Sequence, residues 1–206
     1  MTSIFSVNGI LSEQVYPFER WKMKTKRKSF EQFLWHDINI DIEDDAEKQE
    51  EYLKSALPLV GQIVMYFNAL EKELDKFIYE CISDRSDQLG IIIVHNMNYA
   101  SKVELFKRYS ELFHLNFGEY VDMFEALIKD LKECGRLRNI TVHADWDSTD
   151  AEGYTYLGIK ITNNGISQEY IQFDLNSLNN ILDLIFSTRH KLSDYSKIRE
   201  GILSSY

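Results

Sequence analysis

Residues 119–146 read EYVDMFEALIKDLKECGRLRNITVHADW, and the reading of this stretch decides the fold. Its apolar residues Tyr120, Phe124, Leu127, Leu131, Cys134 and Leu137 recur at steps of three and four, the spacing that gathers side chains on one face of an α-helix. The spacing predicts a helix over about 119–144 with a polar cluster near its end. On an ideal helix Asn139 and His143 lie roughly 40° apart around the axis, so they share a face, and Gly135 extends that face by one turn. A glycine there lowers helix stability by roughly 1 kcal/mol against alanine, which points to close approach by another backbone, a partner helix or a phosphate. Arg138 stands roughly 140° from His143 and reaches its face only by bending its side chain or at a distorted helix end. Arg136 lies almost in line with His143.

The same periodicity recurs on either side. Val60, Val64, Phe67, Leu70, Leu74, Phe77 and Cys81 mark a long helix. Pro58 is its expected break, because proline clashes with the preceding turn, so 46–57 and 59–83 are two segments or one kinked helix. Val103, Phe106, Tyr109 and Phe113 mark another over about 98–114, and Asn116 to Gly118 closes it. Further on, YTYLGIKIT and ISQEYIQFD flank Asn163-Asn164-Gly165, where Asn-Gly supplies the positive φ angles of a tight type I′ turn. Two antiparallel strands are marginal alone, so this hairpin, at about 154–174, is expected to pack on the bundle or to pair with amino-terminal strands. Asp174 or Ser177 then caps a last helix, whose stripe of Leu178, Ile181, Leu182 and Ile185 continues towards Leu192. The first forty or so residues, including YPFERWKMKTKRKSFEQFLW, mix β-formers with basic and aromatic residues and hold no sustained helical period. The expected organisation is a mixed strand and irregular extension over 1–45, then a mainly α domain over 46–206: a helical bundle with a β-hairpin inserted before its last helix.

A chain of 206 residues suits one substantial core, and two prolines with nine glycines favour long regular elements. No apolar run approaches the length of a membrane span, and the polar start MTSIFSVNGILSEQ lacks the regions of a signal peptide, so the expectation is a cytoplasmic protein without a membrane partner. Cys81 and Cys134 sit in apolar helical patterns without a CxxC, and are read as reduced core thiols rather than metal ligands. The net charge of −10 disfavours non-specific binding to nucleic acid, so any RNA site must be local. The basic run Lys22, Lys24, Lys26, Arg27 and Lys28, followed by the acidic run Asp41 to Glu51, is read as solvated faces, with RNA contact the lesser alternative.

Histidine, arginine and asparagine in one cluster suit cleavage of a phosphodiester. Histidine titrates near neutral pH and can take a proton from a ribose 2′-hydroxyl or give one to the leaving oxygen. Arginine binds the phosphate through its planar fork, and asparagine can orient the imidazole. No metal is needed, and attack by a 2′-hydroxyl confines such chemistry to RNA.

The segment Leu137-Arg138-Asn139-Ile140-Thr141-Val142-His143-Ala144-Asp145-Trp146 resembles the RN-x3-H signature of HEPN domains, a case of the broader R-x4-6-H pattern. FNALEKELDKFI at 67–78 is similar to that family's first core helix, and SKVELFKRYSELF at 101–113 to its second, so the resemblance covers about residues 59–146 and, by pattern, the final helix. It implies a HEPN-like four-helix bundle that dimerises so that two motifs meet in one composite cleft, with Arg138 of one chain working with His143 of the other. The implied activity is a metal-independent, cofactor-free endoribonuclease: His143 as general acid or base, Arg138 on phosphate, Asn139 orienting, Arg136 and Lys132 lining the cleft. Many such proteins are toxins or antiviral effectors, some held by an antitoxin protein. Others have no known catalysis, and the alternative is a non-catalytic interaction module binding a protein partner or a nucleotide. A basic cleft lined by Arg136, Arg138 and Lys132 favours RNA; their burial in ion pairs favours the module.

Arg108 and His114 also satisfy R-x4-6-H, but without the adjoining asparagine, and Arg136 fits the loose pattern with His143 as a second phosphate ligand or a bystander. The plainer readings are His143 as a polar cap at the helix end, a salt bridge from Arg138 to Glu133 or another acid, solvated positions for Glu71, Lys72 and Lys102, and structural or exposed roles for His36, His95, His114 and His190. Trp146 is expected to pack on the hairpin rather than stack a base.

Overall fold

The computed structural model describes residues 23–29, 46–83, 86–163 and 165–206. Five helices carry most of that chain: α1 (Ala46–Ile82), α2 (Gln88–Val94), α3 (Tyr99–Phe117), α4 (Phe124–His143) and α5 (Leu175–Leu203). Four strands, β1 (Thr25–Ser29), β2 (Asp145–Thr149), β3 (Tyr154–Thr162) and β4 (Gly165–Gln172), form an antiparallel sheet in the order β1-β4-β3-β2. The fold is mainly α, with the hairpin of β3 and β4 before the last helix as expected.

Of the two alternatives for α1, one continuous helix carries Pro58 within it. Its buried face is Ile63, Phe67, Leu70, Leu74, Phe77 and Ile78, while Val60, Val64 and Cys81 are only half-buried. α3 opens on Asn98, whose side chain accepts from Ser101 N, and closes at Gly118, whose φ of 65° suits a residue without a Cβ. That closure delays α4: it begins at Phe124 rather than 119, Tyr120 is exposed, and Val121 is buried ahead of the helix. The stripe from Phe124 to Leu137 is buried as its spacing requires.

α5 packs along α1, and α4 touches both, while α3 closes the bundle against α1 and α4. One apolar cluster joins these four helices, and at one end it is aromatic: Phe77, Phe106, Phe124 and Tyr195 meet ring to ring. Such rings combine large apolar burial with edge-to-face attraction. The short α2 lies on α1, where a Cβ at Gly90 would stand 2.7 Å from the Tyr79 backbone.

The hairpin answers its isolation in both expected ways. β1 pairs along β4 from Thr25 opposite Ile171 to Ser29 opposite Ser167, and Ile171 and Phe173 enter the main core. Trp146 lies against Phe173 with ring centroids 5.1 Å apart and donates to Thr141 O, so it packs rather than stacks a base. Tyr52 of α1 donates to Phe173 O, tying the helix to the sheet. β2 and α2 carry too few residues to show a period and were not expected. Residues 1–22 and 30–45 of the expected extension, with Lys22 and His36, and the turn residue Asn164, lie outside the described residues. No helix among the described residues is long and apolar enough to cross a membrane.

Candidate functional site

α4 remains helical through His143, so the angular relations of the motif persist. Lys132, Arg136, Asn139 and His143 follow one another along one face at steps of four and three, with Gly135 beside them one turn before Asn139. Arg138 stands to the side, toward α1. Its guanidinium carbon lies 5.4 Å from the centroid of the Phe67 ring, and Nη1 donates to Asn139 Oδ1 at 3.1 Å. Its Nε is buried and has no hydrogen-bond partner among the described residues. The aromatic face attracts the cation and the amide fixes the fork, so a normally mobile side chain is held in one place.

Arg138 lines a cleft of about 700 Å³ between α1, α3 and α4. Phe67 and Glu71 form its α1 wall; Tyr99, Val103 and Glu104 come from α3. α4 contributes Lys132, Arg136, Arg138 and Asn139. His143, exposed and one turn beyond Asn139, does not line the cleft of its own chain. The structure therefore brings Arg138 and Asn139 together, with Lys132 and Arg136 beside them, and leaves His143 at the end of the same helical face.

Of the approaches that a glycine permits, the one seen at Gly135 is by a partner helix, through the Tyr99 side chain at the start of α3. A Cβ there would stand 2.8 Å from the Tyr99 ring, which lies against α4, donates its hydroxyl to Leu131 O and meets the Phe67 ring at 4.6 Å. Burial pushes the Tyr99 phenol far above its ordinary pKa, so it stays a donor. The small residue on α4 thus makes room for the ring that backs Phe67, and Phe67 in turn backs Arg138.

The charged groups sort themselves. Arg136 makes a two-pronged ion pair with Glu133, at 2.6 Å and 2.8 Å, and that bond raises its pKa. Glu133 thus serves Arg136, and Arg138 makes no ion pair among the described residues. Lys102 and Glu71 are not on a solvated face. Lys102 is only 7% exposed and donates to Glu71 Oε1 at 2.8 Å and Asp75 Oδ2 at 2.9 Å. Burial opposes its charge, but the two carboxylates outweigh that and leave its pKa raised. Lys72 is exposed. The helical face was the available signal: Lys102 stands four residues before Phe106, and Glu71 four after Phe67 and three before Leu74.

The second R-x4-6-H pair separates. Arg108 is exposed and bonds Glu104, whereas His114 packs among Phe113, Tyr120 and Phe124 with its Nε2 3.2 Å from the Tyr195 hydroxyl. His95 is exposed, and exposed His190 bonds Phe186 O. Both cysteines are free thiols; burial pushes Cys134 up to about 12 and half-buried Cys81 up to about 11. Among the described residues no three His, Cys, Asp or Glu side chains gather to hold a metal. Comparison with protein-family models, with curated proteins and with solved structures found no match to this chain.

Proposed function

We propose that this chain is a metal-independent endoribonuclease of the HEPN type, acting in the cytoplasm as a homodimer. The observation that carries this reading is Arg138: a guanidinium held by Phe67 and Asn139, opening on a cleft, with no carboxylate partner among the described residues although Glu71 lines the same cleft. An arginine that is oriented but not neutralised is poised for an anion. Two chains meeting across the exposed face of Lys132, Arg136, Asn139 and His143 would bring His143 of one to Arg138 of the other. There His143 takes the proton of a ribose 2′-hydroxyl, whose oxygen attacks phosphorus. The 5′-oxygen leaves with the proton that His143 has taken and returns, and a 2′,3′-cyclic phosphate remains. Arg138 binds the phosphate and the charge that develops on it, and Asn139 orients the groups beside it. Such an activity suits a toxin or defence effector, held in check by an antitoxin protein.

A second reading, a non-catalytic module binding a protein partner or a nucleotide, draws on the Arg136–Glu133 pair and on Glu71 and Glu104 in the cleft. The discriminating experiment incubates a mixed cellular RNA pool with wild type and His143→Ala in excess EDTA, at matched dimer content. Cleavage by wild type alone, leaving 2′,3′-cyclic phosphate ends, is expected. Absence of cleavage and of low-salt RNA binding by wild type turns the reading to the module.

A further inference from the structure

The cleft holds opposite charges that do not meet. Glu71 and Arg138 line it together, yet no ion pair joins them. Each is fixed elsewhere: Glu71 by Lys102, Arg138 by Asn139 and the Phe67 ring. Lys102 takes only Oε1 of Glu71, so among the described residues Oε2 has no hydrogen-bond partner. Tyr99 and Val103 line the same cleft and add apolar surface to it. Its volume of about 700 Å³ falls within the usual span for small-molecule sites. A ligand matching this lining carries an anion for Arg138, a flat apolar body, and hydrogen-bond donors for Glu71.

We propose that the cleft is a guanine-reading site, in which the Glu71 carboxylate, set by Lys102, accepts from the base edge while Arg138 and Lys132 hold the phosphate; this rests on the ribonuclease reading where the guanosine belongs to RNA. A carboxylate accepts and does not donate. Guanine alone among the four RNA bases offers two adjacent donors, N1–H and the 2-amino group, which Glu71 accepts at Oε2 and at the remaining lone pair of Oε1. Adenine and cytosine place an acceptor nitrogen beside their amino group, and uracil flanks its one N–H with two carbonyl oxygens. Those acceptors face the carboxylate with repulsion, so selectivity comes from rejection as well as attraction. Reading an unpaired base by its Watson–Crick edge while a cation holds its phosphate is a general solution for single-stranded RNA. Glu71 is thus a specificity residue and Lys102 its positioning residue.

The test titrates the full chain with GMP, IMP, 1-methyl-GMP, AMP and UMP by calorimetry, and maps cleavage of a defined single-stranded RNA. GMP is expected to bind about ten- to hundredfold more tightly than AMP or UMP. IMP, lacking the 2-amino group, should fall between, and 1-methyl-GMP should lose the advantage. Glu71→Gln should erase the preference and leave AMP binding in place; the nucleotide series on wild type decides even if that variant does not fold. Cuts clustered at guanosines in wild type and dispersed in Glu71→Gln support the site with RNA as its source. Selective GMP binding without cleavage supports it with a free nucleotide as ligand, and the ribonuclease reading then falls. Cleavage blind to base together with equal nucleotide binding overturns the guanine site and leaves the ribonuclease standing. Failure to bind any nucleotide, with no guanosine preference in cleavage, also overturns it.

Discussion

Gly135 shows how much one missing side chain decides. Tyr99 occupies the space a Cβ would fill, and through Phe67 it fixes where the Arg138 guanidinium rests. Gly135→Ala gains up to about 1 kcal/mol in helix propensity. It also forces the ring aside, and overpacking of that kind costs about 1–3 kcal/mol. The net expectation is a loss of about 1 kcal/mol in urea unfolding and, on the ribonuclease reading proposed above, weaker RNA binding, because displacement of Tyr99 disturbs the rings under Arg138. A variant as stable as wild type and with undiminished RNA binding would show that the ring is not a support.

At the scale of elements, ends matter more than middles. α5 starts where it does because Asp174 Oδ1 accepts from Ser177 N at 2.6 Å, while the Ser177 hydroxyl donates to Asp174 O. Of the two caps that the sequence allows, Asp174 fills the position and Ser177 stands inside the helix. Asp174→Ala should lower unfolding free energy by about 1 kcal/mol. The same junction binds the sheet to α1 through Tyr52 and Phe173 O, so the loss should appear as a lower urea midpoint with an unchanged slope. A change in slope would mean that the sheet unfolds apart from the bundle.

For the molecule as a whole, His114 links three helices to pH. It lies on α3, against Phe124 of α4 and Tyr195 of α5, and its ring meets the aromatic end of the core. Burial lowers its pKa below the ordinary 6.5, more than Glu111 and Glu125 raise it. Its Nε2 beside the Tyr195 hydroxyl suits a neutral imidazole that accepts. Above pH 6.5 folded and unfolded states are both neutral there, and the group adds nothing to the pH dependence. As pH falls below 6.5 the unfolded state protonates first, so stability declines until the folded His114 protonates too. Denaturation curves of wild type against His114→Gln between pH 7 and 5 should diverge in that direction; parallel curves would assign the pH dependence to other groups.

Local sequence alone determined the four long helices and the polar face of Asn139 and His143, through helical periodicity, and the hairpin before the last helix, through its Asn-Gly turn, because these relations hold whatever the rest of the chain does. The start of α4, the order of the sheet, and the places of α2 and β2 depended on tertiary structure, since short elements carry little period of their own and are set by the surfaces they cover. The cleft is likewise a product of tertiary packing. The sequence could place Arg138 among the candidate site residues, but Phe67, Glu71 and Tyr99 stand at least 39 positions from it in the chain, and Lys102, which bonds Glu71, stands 36 away. Only the crossing of α1, α3 and α4 turns a guanidinium, a ring and a carboxylate into the walls of one space.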